Sequence, residues 1–211
     1  MRLLIAGAGG HGRVVADAAL GSGLFTAVGF LDDISKGPTV EGWPIVGSFN
    51  ALREVCAGYD SFAAGVGSAN LRMDLLTMAR ECGLDCPPVI HLCAHVSKHA
   101  VIGIGSVICA GAYVSVGARV GAGCIINTAA TVDHDCILMD GVHVAPGAHL
   151  AGNVRIGMGS WFGIGAVARQ RISIGKNVLV GAGAVVVRDV ADGKTVVGNP
   201  AREISEKEAC S

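Results

Sequence analysis

From position 90 to position 186 a side chain of one kind returns at every sixth residue. The series runs Ile90, Val96, Ile102, Ile108, Val114, Val120, Ile126, Val132, Leu138, Val144, Leu150, Ile156, Phe162, Ala168, Ile174, Val180, Val186. Only Phe162 and Ala168 depart from Val, Ile or Leu. Four residues after each aliphatic position the side chain is usually small: Ala94, Ala100, Ser106, Ala112, Ala118, Cys124, Ala130, Cys136. Glycine often follows the aliphatic residue directly, as in IGIGSV and VGAGAV. Neither the helical period nor strand alternation holds such a phase for so long. A fixed six-residue period predicts a parallel β-helix of hexapeptide repeats, in which each hexad supplies one short strand and one corner. Three hexads then close a triangular coil of eighteen residues, with the aliphatic and small side chains inside. The Gly, Asn or Asp directly after the aliphatic residue is expected to take the left-handed corner conformation. The hexads from 90 to 191 make a little under six coils, a prism roughly 27 Å tall at the usual strand spacing.

Residues 1–85 follow another pattern. RLLIA reads as a buried strand, GAGGHG as a turn and RVVADAAL as an amphipathic helix; AVGFLDD and SFAAGVG read as further strands, and ANLRMDLLTMARECG as a helix closed by Gly83. Strands alternating with helices predict a small parallel α/β unit. The domain plan is therefore an α/β unit at 1–85, the β-helix at 86–201 and a tail at 202–211. Gly7, Gly9 and Gly12 satisfy GxGxxG, and Asp32 follows twenty residues beyond Gly12. A full dinucleotide site needs two mononucleotide-binding halves, for which about 85 residues are too few. Half a Rossmann unit, holding the phosphate of a nucleotide-linked ligand on helix amides, fits the length better.

Composition narrows the field. The chain is 51% hydrophobic but 4% aromatic, and it holds 32 glycines. That mixture suits a repetitive β structure filled by stacked aliphatic side chains. A net charge of -1 gives no support for nucleic acid or an anionic membrane as partner. No apolar run approaches a membrane span without a glycine or a charge, and the first residues are too short for a signal peptide. Eight cysteines without a CxxC pair read as small hydrophobes kept reduced, so a cytoplasmic location is expected.

The hexad register locates the candidate chemistry. Val132 points inward, so Asp133, His134 and Asp135 occupy the corner that follows it. Asp133 has a structural account as the left-handed residue; an outward His134 beside Asp135 has none. One coil later the same corner carries Gly152, whose amide should lie about 5 Å away. A base beside an open N–H is what acyl transfer requires: the base removes the nucleophile's proton and the amide holds the oxyanion. Asp135 would orient the imidazole. His143 falls half a coil from His134, on a different face, and would meet it only across a boundary between prisms. A zinc site like that of hexapeptide carbonic anhydrases needs three converging histidines; His134 and His143 have no third partner at the required level, with His149 and His99 the candidates, so no metal is expected.

The segments GAGGHGRVV, GFLDD, GVGSANLR, INTAATVDHDC, HVAPGAHLAGNVRIG and VVGNPAR occur in that order. With them the chain resembles, end to end, the bacterial sugar acyltransferase family that contains sialic acid O-acetyltransferases and bacillosamine-pathway N-acetyltransferases. The resemblance implies a left-handed β-helix and a homotrimer with active sites between subunits. It also implies acetyl-CoA as cosubstrate in the groove between prisms. The acceptor it implies is a nucleotide-activated 4-amino-4,6-dideoxy sugar, UDP-linked by preference, with sialic acid O-acetylation as the alternative. Carried onto this chain, His134 is the general base and Asp135 its partner, replacing a glutamate found in some members. His143 and the Gly152 amide face the thioester. Gly9, Gly10, His11, Asp32, Asp33, Gly67 and Asn70 line the nucleotide-sugar side, with Asn127 a further substrate-binding candidate.

Overall fold

A computed structural model describes residues 1–35 and 37–204. The N-terminal unit contains β1 (Arg2–Ala6), α1 (Gly10–Gly21), β2 (Ala27–Leu31), β3 (Thr39–Val40), β4 (Trp43–Gly47), α2 (Leu52–Val55), β5 (Ser61–Ala64) and α3 (Ala69–Glu81). Its sheet runs β3-β4-β2-β1-β5, parallel except for the β3–β4 hairpin. The hairpin, in a stretch rich in Gly and Pro, has no period in the sequence to announce it. Alternate residues of β1 point to opposite layers. Leu3 and Ile5 join the α1 side chains Val15, Ala16 and Ala19, while Leu4 and Ala6 join Leu75, Leu76 and Ala79 of α3.

The prism begins at Val89–Ile90 and returns to each face every eighteen residues. Tyr113 pairs with Thr131 and Thr131 with His149; Ile125 pairs with His143 and His143 with Trp161. Three parallel faces result. The first carries strands beginning at Val89, Val107, Ile125, His143, Trp161 and Leu179; the second runs from His95 to Val185; the third runs from Val101 to Ser173. This is the left-handed parallel β-helix. Inside, large and small columns alternate: Val114, Val132, Leu150, Ala168 and Val186 stack beside Ala112, Ala130, Ala148, Ala166 and Ala184, and all are buried. Phe162 and Ala168 occupy one cross-section and are 1% and 3% exposed, so the small residue makes room for the ring.

The corners differ from the sequence expectation. Positive φ falls on the third residue after the aliphatic position, at 105, 111, 117 and every sixth residue to 183. Asp135 (φ 59), and not Asp133, is therefore the left-handed residue of its corner. Asp133 instead accepts a hydrogen bond from the His134 amide at 2.7 Å. The glycine directly after the aliphatic residue serves close coil stacking: a β-carbon on Gly163 would lie 2.7 Å from the Gly181 carbonyl carbon and 2.8 Å from the Ala182 nitrogen.

The two units share a core. Val89, Val107 and Cys109 of the first face pack into the cluster formed by β1, β2 and α1. Along that face exposure rises from 0% at Val107 and Ile125 through 7% at His143 to 39% at Trp161 and 44% at Leu179. The N-terminal unit thus covers the lower coils and ends beside His143. At the far end Arg202–Ile204, where the tail was expected to start, pairs antiparallel with Thr195–Val197; residues 205–211 of that expected tail lie outside the described residues.

The shared cross-section is testable. Ala168→Leu is expected to cost about 1–3 kcal/mol through overpacking. Adding Phe162→Val should recover part of that loss, giving a coupling of opposite sign in denaturant unfolding.

Candidate active site

Coil stacking places Gly152 one turn above His134. The Asn153 amide donates to the His134 carbonyl at 2.9 Å, which fixes the two corners in register. The imidazole lies over Gly152, so that a β-carbon there would sit 2.6 Å from the ring's Cε1. Glycine is the residue this contact permits. The Gly152 carbonyl accepts from the Arg171 amide, whereas its own N–H makes no hydrogen bond among the described residues. His134 Nδ1 lies 2.9 Å from Asp135 Oδ2. With the proton on Nδ1 and donated to the carboxylate, Nε2 is left as the free base. The hydrogen bond to Asp135 raises the His134 pKa above the ordinary imidazole value, against the small effect of burial. Both side chains are about half exposed.

A second cluster occupies the junction. His143 lies between Trp161, at 4.1 Å between ring centroids, and His11 of α1, at 6.5 Å. Asn127 Oδ1 accepts from the Thr128 amide at 2.8 Å, which turns its Nδ2 toward His143 Nε2 at 3.1 Å. Nε2 is thus an acceptor and the proton resides on Nδ1, a buried atom with no hydrogen-bond partner among the described residues. His11 Nε2 is buried and partnerless in the same way. Burial, aided by the charge of His11 and of Arg72, drives His143 down to about 3; burial and Arg72 take His11 to about 4. Both rings are neutral at physiological pH.

Around this cluster lie the remaining sequence candidates. Gly9 and Gly10 are exposed at the start of α1, with nothing within 4 Å of where a β-carbon would stand. Asp32 is committed to the loops: Oδ2 accepts from Ala8 N at 2.7 Å, and Oδ1 from Ile34 N at 2.9 Å and Ser35 N at 2.6 Å. Burial alone would raise its carboxyl, but these amides outweigh it and hold the pKa below the usual range. Asp33 accepts from Phe49 N at 2.8 Å. Gly67 lies against the Trp161 ring, 3.9 Å from its would-be β-carbon, and Asn70 lines a cleft with Asp74, Asp140 and Met158.

The structure therefore assembles two groups and keeps them apart within one chain. His134, Asp135 and Gly152 sit at the corner between the second and third faces; His11, Asn127 and His143 sit on or above the first face, opposite that corner. Two residues of the junction escaped sequence reasoning. Trp161 stands at an outward strand position, where the six-residue clock gives no reason for an aromatic ring. Arg72, two residues past Asn70, is fully buried.

The PglD N-terminal domain family model matches residues 2–79. The acetyltransferase domain of PglB from Neisseria gonorrhoeae FA1090, solved with acetyl coenzyme A, is 45% identical, covering 96% of this chain and 98% of its own, with a TM-score of 0.93. A variant of perosamine N-acetyltransferase from Caulobacter crescentus, solved with CoA and GDP-perosamine, is 34% identical over 98% of each chain, with a TM-score of 0.90. WeeI from Acinetobacter baumannii AYE is 29% identical over 97% and 100%, with a TM-score of 0.88.

The contrast between the histidines can be measured by proton NMR. The His134 ring should titrate above the ordinary imidazole value, and Asp135→Asn should bring that midpoint down. The His143 ring should not titrate between pH 5 and 8. Because His11 and His143 are held neutral, the unfolded chain binds more protons than the folded one. Stability should therefore fall as pH drops below the ordinary imidazole range, and less steeply in His143→Gln.

Proposed function

The chain belongs to the hexapeptide family of bacterial sugar N-acetyltransferases, and on that premise we propose that it moves the acetyl group of acetyl-CoA onto the amine of a nucleotide-linked 4-amino-4,6-dideoxy sugar. The observation that carries this reading is the corner itself: an imidazole oriented by a carboxylate, lying over a glycine whose amide is unspent among the described residues. His134 Nε2 takes the proton that the amine loses as its nitrogen bonds to the thioester carbonyl carbon. The Gly152 N–H stabilises the oxyanion of the tetrahedral intermediate. When the carbon–sulfur bond breaks, the imidazolium returns the proton to the departing thiolate. Asp135 keeps the tautomer that leaves Nε2 free and stabilises the ring while it is charged. Because the base must be neutral, the rate falls on the acid side of the His134 pKa, and Asp135→Asn moves that limb to lower pH.

The N-terminal unit supplies the acceptor side in this reading. The open first turn of α1 at Gly9, Gly10 and His11 suits a diphosphate. Asp32 and Asp33 shape the adjoining loops, and Gly67, Asn70 and Asn127 complete that side of the junction. His143 offers a Nδ1–H with no partner among the described residues, a donor suited to a carbonyl or hydroxyl oxygen of the acetyl donor or acceptor. Since His134 lies opposite this junction, the complete site takes the corner of one copy and the junction of the next, in a homotrimer. Uridine is the favoured base from the bacillosamine-pathway resemblance. The perosamine enzyme takes a guanosine diphosphate sugar, so both belong in the test.

The first experiment is a mass-spectrometric product screen with acetyl-CoA against UDP-, dTDP- and GDP-linked 4-amino sugars and free sialic acid. We expect one added acetyl on a UDP-linked amino sugar. Product from sialic acid alone would overturn the choice of acceptor, and product from none would overturn the reading. His134→Ala should lose about 10²- to 10⁴-fold in kcat, the usual worth of a general base. Asn127→Ala, which removes the hydrogen bond to His143 Nε2, should also lose activity. Mixing it with His134→Ala after subunit exchange should restore activity, because some interfaces then hold one intact corner and one intact junction. Recovery absent after demonstrated exchange places both halves in one chain.

A further inference from the structure

Arg72 is 0% exposed, yet no carboxylate pairs with it among the described residues. All four of its hydrogen bonds go to backbone carbonyls. Nε donates to Gly123 O at 2.6 Å and Nη2 to Gly141 O at 2.8 Å; Nη1 donates to Val66 O at 3.0 Å and Gly67 O at 2.9 Å. The first pair belongs to the left-handed corner residues of two successive coils, φ 59 and 70. The second pair belongs to the loop between β5 and α3. None of the four carbonyls accepts a backbone hydrogen bond among the described residues. One planar fork thus joins two coils of the prism to one loop of the N-terminal unit.

The loop it holds leads to the candidate chemistry. Gly67 rests on Trp161, Trp161 packs on His143, and His143 is bonded to Asn127. Asn70, two residues before Arg72, lines the cleft beside Gly141 and Met158. Burial of an unpaired guanidinium is costly, and carbonyl dipoles recover only part of the loss of water. An apolar side chain would fill the space at less cost in desolvation, but it would leave four carbonyls without donors. The arrangement favours a fixed geometry over simple adhesion between units that already share the core formed with Val89, Val107 and Cys109.

We propose that Arg72 is a positioning residue for the transfer reaction: by clamping the Val66–Gly67 loop onto the Gly123 and Gly141 corners, it sets where the N-terminal unit presents its acceptor to the prism. The inference rests on the transferase reading for its consequence and on the four hydrogen bonds for its geometry. Its charge also contributes, after burial, to keeping His11 and His143 neutral.

The test compares Arg72→Lys and Arg72→Met with the wild type. Lysine keeps the charge but has three donors on a rotating head instead of a planar fork. We expect Arg72→Lys to bind UDP and CoA by calorimetry within about twofold of wild type while kcat for the acceptor falls about 10- to 100-fold. Arg72→Met should lose more. Wild-type kcat with a lower melting temperature would overturn the proposal in favour of a purely structural staple, as would failure of both variants to fold. Loss of UDP binding in step with kcat would overturn it in favour of a direct nucleotide contact. A second readout needs no turnover. In Arg72→Lys the ring resonances of His143 and Trp161 should shift, while those of His149, on the second face, stay in place. Unmoved His143 and Trp161 resonances overturn the clamp whatever the acceptor. A wild type without product in every acceptor assay counts against the transferase reading and leaves the clamp to be judged by those resonances.

Discussion

The eighteen-residue coil is the constraint from which the rest of this structure follows. Each coil hydrogen-bonds to the next in strict register, as Thr131 does to Ala148 and Asp133 to Leu150, so a residue's neighbour above is set by arithmetic and not by local propensity. The interior accepts this because large and small columns run its full height and every step fills the same cross-section. The same stacking makes a glycine at 152 compatible with an imidazole at 134. Corners of successive coils come so close that a side chain at one position forbids a β-carbon at the next.

Against this rigid column, the N-terminal unit decides which part of the first face meets water. It buries Val107 and Ile125 completely, nearly buries His143, and leaves Trp161 partly open. The consequence is electrostatic as well as steric. His134, exposed and bonded to a carboxylate, is tuned toward the charged form. His143, desolvated beside a second histidine and a buried arginine, is tuned strongly away from it. One residue type is thereby tuned toward its charged form at the corner and held neutral at the junction. Environment, and not sequence spacing, separates the two roles.

That separation explains what could be read from the chain alone. The faces, the inward columns and the superposition of Gly152 on His134 were legible because a period of six admits one register over many coils. The left-handed position was misplaced by two residues because glycine occurs at both corner sites for different reasons, coil contact at the first and φ at the third. Asp133 was credited with the conformation Asp135 adopts. The burial of His143 was not legible, since an outward strand position says nothing about a second domain docking over it. Arg72 and Trp161 were passed over for the same reason: their partners lie some fifty to ninety residues away in sequence, across a junction that no local pattern encodes.

A triangular section has one further consequence for the proposed chemistry. The corner that carries His134 lies opposite the face that the N-terminal unit covers, and the prism's packed core fills the space between. No side-chain rotation carries the His134 imidazole across a buried column of Val, Leu and Ala. A base at the corner and an acceptor at the junction can therefore share a substrate only if a second prism brings its corner to the first one's junction. Under that reading, self-association is part of the catalytic geometry. Any contact that fixes the N-terminal unit to its own prism, as the Arg72 clamp does, then fixes it relative to the neighbour's base.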